Sequence, residues 1–141
     1  MYNKIQKGVF DMTLIVCLDP RNGLLFNNRR QTVDYELVKI IAKDFGKVYI
    51  SPFSEKYFEG VDCIVSKDPY AAAAPDGTVF IENDDTPATE AITKLIVYRW
   101  STVYPADTYF KLSPEELGLS LRGRVKFSTK VHKDIVKEIY K

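Results

Sequence analysis

The sequence predicts a three-layer α/β sandwich with a mostly parallel central sheet and a C-terminal antiparallel hairpin. Three observations predict it. Short apolar runs alternate with helical segments over residues 13–100, the pattern of parallel strand–helix units. Thr13–Leu18 is nearly continuous in apolar residues, as a central strand covered on both faces requires. The tail holds two more strand-like runs, Arg124–Thr129 and Ile135–Tyr140, which suit an antiparallel pair.

Local chemistry justifies each element. Asp19-Pro20-Arg21-Asn22-Gly23 follows the first strand as a turn, its Asn-Gly tolerating positive φ. Val33, Leu37, Ile40, Ile41 and Phe45 then recur on one helical face, predicting a helix over 33–45. Thr32 is the expected N-cap, Asp34 and Glu36 occupy the first turn, and Gly46 stops the helix. Lys47–Ser51 is the next strand, ended by Pro52; Ser54–Phe58 is a helical turn and Asp62–Ser66 a strand. Asp68-Pro69 places a cap and a first-turn proline before a short helix through Tyr70 and four alanines. Pro75-Asp76-Gly77 breaks that helix, and Thr78–Glu82 is a strand. Thr86-Pro87 repeats the cap-and-proline device for a brief helix to about Ile92, and Lys94–Trp100 is a strong strand.

Composition narrows the classes. A chain of 141 residues with 45% hydrophobic and 28% charged content suits one globular domain with its own core. Residues 12–141 are expected to form that domain, and residues 1–11 a leader or an extra edge strand. No apolar run approaches the roughly 18 residues that span a bilayer, and the N-terminus lacks a secretory apolar stretch. No membrane association is expected. Cys17 and Cys63 lie in apolar runs without a CxxC or Cys/His cluster. They read as small buried hydrophobes, with no metal site, in a reducing, cytoplasmic setting.

Net charge is +1, but its distribution is uneven. Residues 54–90 hold nine acidic and two basic residues, a local charge of −7. Residues 122–141 hold Arg122, Arg124, Lys126, Lys130, Lys133, Lys137 and Lys141 against two acids, a local charge of +5. Two partners fit that polarity. One is a homodimer joining the basic hairpin to the acidic 54–90 surface of a second copy. The other is nucleic acid, disfavoured because no fold-specific nucleic-acid motif accompanies the basic tail.

In order and spacing, these pieces resemble the dihydrofolate reductase fold, shared by the reductase domain of riboflavin biosynthesis, over about residues 12–141. Leu14–Asp19 with Asn22-Gly23 is similar to the family's opening strand and active-site loop. Ser66–Ala74 before Thr78–Ile81 is similar to the helix preceding its cofactor strand. Lys94–Tyr98 through Ala106–Phe110 resembles a strand followed by a D-T-x-F segment, and Lys137–Tyr140 its last strand. The resemblance implies NADPH held by a glycine pair after the strand matching Thr78–Glu82, and by a Gly-Arg-x-Thr loop after the strand matching Lys47–Ser51. Glycine there lets the backbone approach pyrophosphate at a helix N-terminus.

This chain departs from that pattern. Asn83, Asp84, Asp85 and Thr86 stand where the glycines belong, and Pro52, Phe53 and Ser54 replace the second loop. Two unit charges ~6 Å apart at an effective dielectric of ~20 repel by about 3 kcal/mol. NADPH is therefore a disfavoured cofactor, and no other is expected. Tyr49, Phe53, Tyr57 and Phe58 cluster where the cofactor cleft would open and are expected to fill it.

On the substrate side, the resemblance implies a carboxylate at the start of the first helix, and Asp34 stands near that place. A carboxylate in an apolar cleft can hydrogen-bond a heterocycle and deliver a proton; the plainer reading is that it complements the helix dipole. Asn27, Asn28, Arg29, Arg30 and Gln31 form the candidate binding loop for a small anionic or heterocyclic ligand, since arginine grips carboxylate and phosphate bidentately. His132, the only histidine, sits in a lysine-rich turn and is expected to be exposed and without catalytic role. The leading expectation is a divergent member that has lost NADPH-dependent reduction and serves as a small-ligand or protein-interaction module. The alternatives are an NAD(P)H- or flavin-dependent oxidoreductase acting on a pterin-like or other heterocycle with Asp34, and a nucleic-acid-associated protein.

Overall fold

The first apolar run becomes β1 (Met12–Leu18), at the centre of a seven-stranded sheet. A computed structural model describes residues 10–83 and 89–141. The elements that follow β1 are β2 (Gly23–Phe26), β3 (Arg29–Arg30), α1 (Tyr35–Phe45), β4 (Val48–Ile50), β5 (Cys63–Val65) and α2 (Pro69–Ala73). After them come β6 (Thr78–Phe80), β7 (Ile92–Arg99), β8 (Thr108–Tyr109), β9 (Leu121–Phe127) and β10 (Ile135–Tyr140). The sheet order is β5-β4-β6-β1-β7-β10-β9. β5, β4, β6, β1 and β7 run parallel. β10 is antiparallel to both β7 and β9. This is the predicted α/β sandwich with its terminal antiparallel pair.

Alternation along the strands divides the core. Ile15, Val48, Ile50, Phe80, Ile96 and Tyr98 face α1. That helix buries Leu37, Val38 and Ile41 against them, each contributing about 2 kcal/mol of burial. Leu14, Val16, Leu18, Leu95 and Val97 face the other way, toward α2 and the 110–119 segment. Tyr49 and Phe53 pack against this second cluster; strand alternation turns Tyr49 to the face opposite Val48 and Ile50.

The helix starts later than periodicity predicts. Asp34, not Thr32, is the N-cap: its Oδ1 accepts from the Leu37 N–H at 3.0 Å, while the Thr32 hydroxyl turns to His132. Gly46 ends α1 at φ 72°, a conformation that favours glycine. Asp68 caps α2 with Pro69 at its first position, as predicted. The expected Ser54–Phe58 helical turn is present, the Phe58 N–H donating to the Ser54 carbonyl at 3.1 Å, and a 3-10 turn at Pro52–Ser54 leads into it. A second sheet, β3-β2-β8, has no counterpart in the sequence reading; its strands are two to four residues long, too short to leave a period. Thr86 and Pro87, with most of the 1–11 leader, lie outside the described residues.

Candidate functional site

The C-terminal ends of β1, β4 and β6 open toward one rim of the sheet, where open α/β sheets place ligands. Asp19 begins that rim, immediately after β1. Its Oδ1 accepts from the N–H groups of Arg21 and Gly23, both at 2.8 Å. Its Oδ2 accepts from Gln31 Nε2 at 3.0 Å and the Tyr104 N–H at 3.2 Å. Burial pushes the Asp19 carboxyl up, but these four donors outweigh it and hold the group below the usual carboxylate range. Gly23 is required by close approach, since a Cβ would stand 2.6 Å from Gln31 Nε2 and 2.9 Å from Asp19 Oδ2.

Asn27 and Asn28 turn the β2–β3 hairpin with φ of 52° and 58°, suited to a two-residue loop that twists with its strands. Both are exposed, as is Arg29. The hairpin delivers Arg30 inward. Its Nε donates to Glu82 Oε2 and its second terminal nitrogen to Oε1, both at 2.6 Å. The Ser54 hydroxyl donates to the same Oε1 at 2.7 Å. The guanidinium lies 4.2 Å from the Tyr57 ring centroid and 5.8 Å from that of Phe53. Hydrogen bonding and charge from Glu82 outweigh burial, so the Arg30 pKa rises further. The candidate binding loop and the 52–54 turn thus meet through Glu82. Pro52 is exposed and Asn83 half-buried beside this junction, while Asp84, Asp85 and Thr86 lie outside the described residues.

Asp34 belongs to a separate cluster behind this bridge. Its buried carboxylate accepts from Thr129 Oγ1 at 2.5 Å and from His132 Nδ1 at 2.7 Å. A carboxylate can only accept, so Nδ1 carries hydrogen and Nε2 meets the Thr32 hydroxyl at 2.9 Å. Trp100 stacks on the imidazole with centroids 4.3 Å apart. Tyr57 exchanges hydrogen bonds with the Asp34 backbone at 2.9 and 3.3 Å; burial raises its phenol pKa.

His132 is therefore not exposed, contrary to its lysine-rich surroundings: its side chain is 10% accessible. The partner that buries it lies 98 positions away, beyond the reach of local sequence. Glu82, Thr129 and Trp100 were equally unmarked as site residues. The one usable signal was Glu82, a carboxylate closing an apolar strand.

Little space remains. A cavity of about 20 Å³ lies among Cys17, Leu24, Arg30, Thr32, Tyr57 and Trp100, room for about one water molecule. Burial, helped by the Glu82 and Asp34 carboxylates, pushes the Cys17 thiol up, away from reactive thiolate. Phe58 is fully buried against Phe80, centroids 4.8 Å apart. Among the described residues, no group of three or more His, Cys, Asp or Glu side chains is placed to hold a metal ion. None of their helices is long and apolar enough to cross a membrane.

No family model and no curated protein matches the sequence. Among solved structures, the chain is similar to the dihydrofolate reductase from Enterococcus faecalis complexed with NADP(H) and RAB-propyl. The TM-score is 0.59 at 11% identity, over 92% of this chain and 94% of that one. A likeness of that extent establishes a dihydrofolate reductase-like fold.

Proposed function

We propose that this dihydrofolate reductase-like domain does not carry out NADPH-dependent reduction and works through its surface, as a protein-interaction module. The observation that carries the reading is the Arg30–Glu82 bridge, backed by Ser54, Tyr57 and Phe53, across the mouth between β4 and β6. It leaves about 20 Å³, whereas small-molecule sites occupy roughly 300–1,000 Å³. A small ligand seated at that mouth therefore has less support than an interaction surface.

The residues present do not fit a dinucleotide. Ile81-Glu82-Asn83-Asp84-Asp85 follows β6 without a glycine, and the one carboxylate there with described geometry is already matched by Arg30. A pyrophosphate would have to break that pair or sit against uncompensated acid. Every 1.4 kcal/mol so lost weakens binding about tenfold. Asp34 offers a heterocycle nothing in this arrangement, because Leu37, Thr129 and His132 occupy its oxygens.

Thermal unfolding with NADPH, NADH and dihydrofolate, separately and paired, tests the reading. No shift of the midpoint at 1 mM ligand is expected. A saturable rise at micromolar cofactor would overturn it, since binding at 100-fold above Kd stabilises by about 2.7 kcal/mol.

A further inference from the structure

Part of the basic segment and part of the acidic segment lie at the two opposite edges of one sheet. β9 closes one end and β5 the other, and no described strand pairs with the outer side of either. On β9, exposed Arg122, Arg124 and Lys126 alternate, and Val125 between them is 51% exposed. Neither Arg124 nor Lys126 is in an ion pair among the described residues, and the neighbouring Glu138 is engaged by Arg99. At the other end, Glu55, Glu59 and Asp62 are exposed around β5, with Lys56 and Lys67 as the bases among them. Glu55, Lys56 and Glu59 rim a groove of about 460 Å³ whose apolar lining includes Pro52, Phe58, Cys63 and Val65.

We infer that the partner of the β9 edge is the β5 edge of a second copy of this chain, in a head-to-tail association. Like edges are poor partners: β9 against β9 would set arginines and lysines opposite one another, and β5 against β5 would bring the Glu55, Glu59 and Asp62 carboxylates that precede this apolar strand near their own copies. Charge on an edge strand commonly blocks pairing between sheets; on β9 it blocks a second β9 and not the uncharged β5 strand with its acidic flank. Opposite edges bring Arg124 and Lys126, which share one face of β9, to the groove rim at Glu55 and Glu59. The contact is heterologous, so it leaves a free edge of each type and adds copies in series rather than closing at two. This pairing rests on the interaction reading of the domain, and it narrows the partner to the chain itself.

Sedimentation velocity of the full chain from 10 to 300 μM, at 50 and 500 mM NaCl, tests it. Mass should grow with concentration at low salt, with apparent affinity falling at least tenfold at high salt. Arg124→Glu with Lys126→Glu, and Glu55→Lys with Glu59→Lys, should each give monomers alone. Mixed one to one, the two variants should assemble again, because each then meets its opposite, and that recovery also shows that both fold. A monomeric wild type at 300 μM and low salt overturns the inference. So does a closed dimer indifferent to either reversal, a mixture that stays monomeric, or a β9 edge that binds a single-stranded oligonucleotide or a polyglutamate peptide but not the chain itself. A monomer that ignores NADPH would sink this pairing and leave the closed-cleft reading intact; an associating chain that binds NADPH would do the reverse.

Discussion

Replacing Glu82 by glutamine keeps its volume and removes the charge that holds Arg30 across the cleft. Glu82 is 8% exposed and Arg30 23%, so neither group is free to recover full hydration when its partner goes. Two charge-assisted bonds at 2.6 Å are weakened together, while the Ser54 contact can persist to the amide oxygen. Fully buried pairs lose 3–5 kcal/mol on such a change, exposed ones under about 1 kcal/mol. Arg30 retains a path to water, so about 2 kcal/mol is expected, or a fall in melting midpoint of roughly 6 °C for a domain of this size. Urea unfolding at pH 7 of wild type, Glu82→Gln, Arg30→Met and the double variant isolates the pair. A coupling of about 1.5 kcal/mol is predicted. A coupling below about 0.5 kcal/mol would show a solvated surface pair and refute the bridge as the element that closes the cleft.

Three further outcomes follow from the same geometry. Asp19→Asn should cost about 2 kcal/mol at pH 7 by weakening four hydrogen bonds to a buried carboxylate. Because the folded pKa is depressed, that stabilisation is present above about pH 4 and fades as pH falls through the folded value, so the gap between the two proteins in urea titrations should narrow steadily as pH is lowered below about 4. Asp34→Ala should cost about 3 kcal/mol, from a lost helix cap and from Thr129 and His132 left without their acceptor; Thr32→Val, which removes only the outer hydroxyl, should cost under about 1 kcal/mol in the same measurement. Tyr57→Phe should lose about 1 kcal/mol by calorimetry, since the Asp34 N–H loses its acceptor inside the protein.

The parallel core was legible because β1 and β7 are long enough, at seven and eight residues, to carry an unbroken apolar pattern. Asp68-Pro69 announced α2 by local chemistry alone. The cap of α1 was misplaced because Thr32 and Asp34 are both good N-caps, and only the position of His132 decides between them. Arg30 was legible as an anion-binding residue, but its anion proved to be Glu82, 52 positions away. Phe53 and Tyr57 flank that guanidinium as expected of cleft-filling rings, while the face on which Tyr49 packs is fixed only once the sheet order is known. Charge asymmetry was visible in composition; that Arg122, Arg124 and Lys126 and, at the far end, Glu55, Glu59 and Asp62 lie by opposite sheet edges is a property of topology.

The closed cleft is most directly tested by following the Arg30 Nε–Hε resonance by NMR, without and with 2 mM NADPH. A hydrogen held by Glu82 should exchange slowly with water, resonate apart from solvated arginines, and stay in place when the dinucleotide is added. A resonance that exchanges at the solvated rate, or that moves saturably with NADPH, would contradict the account.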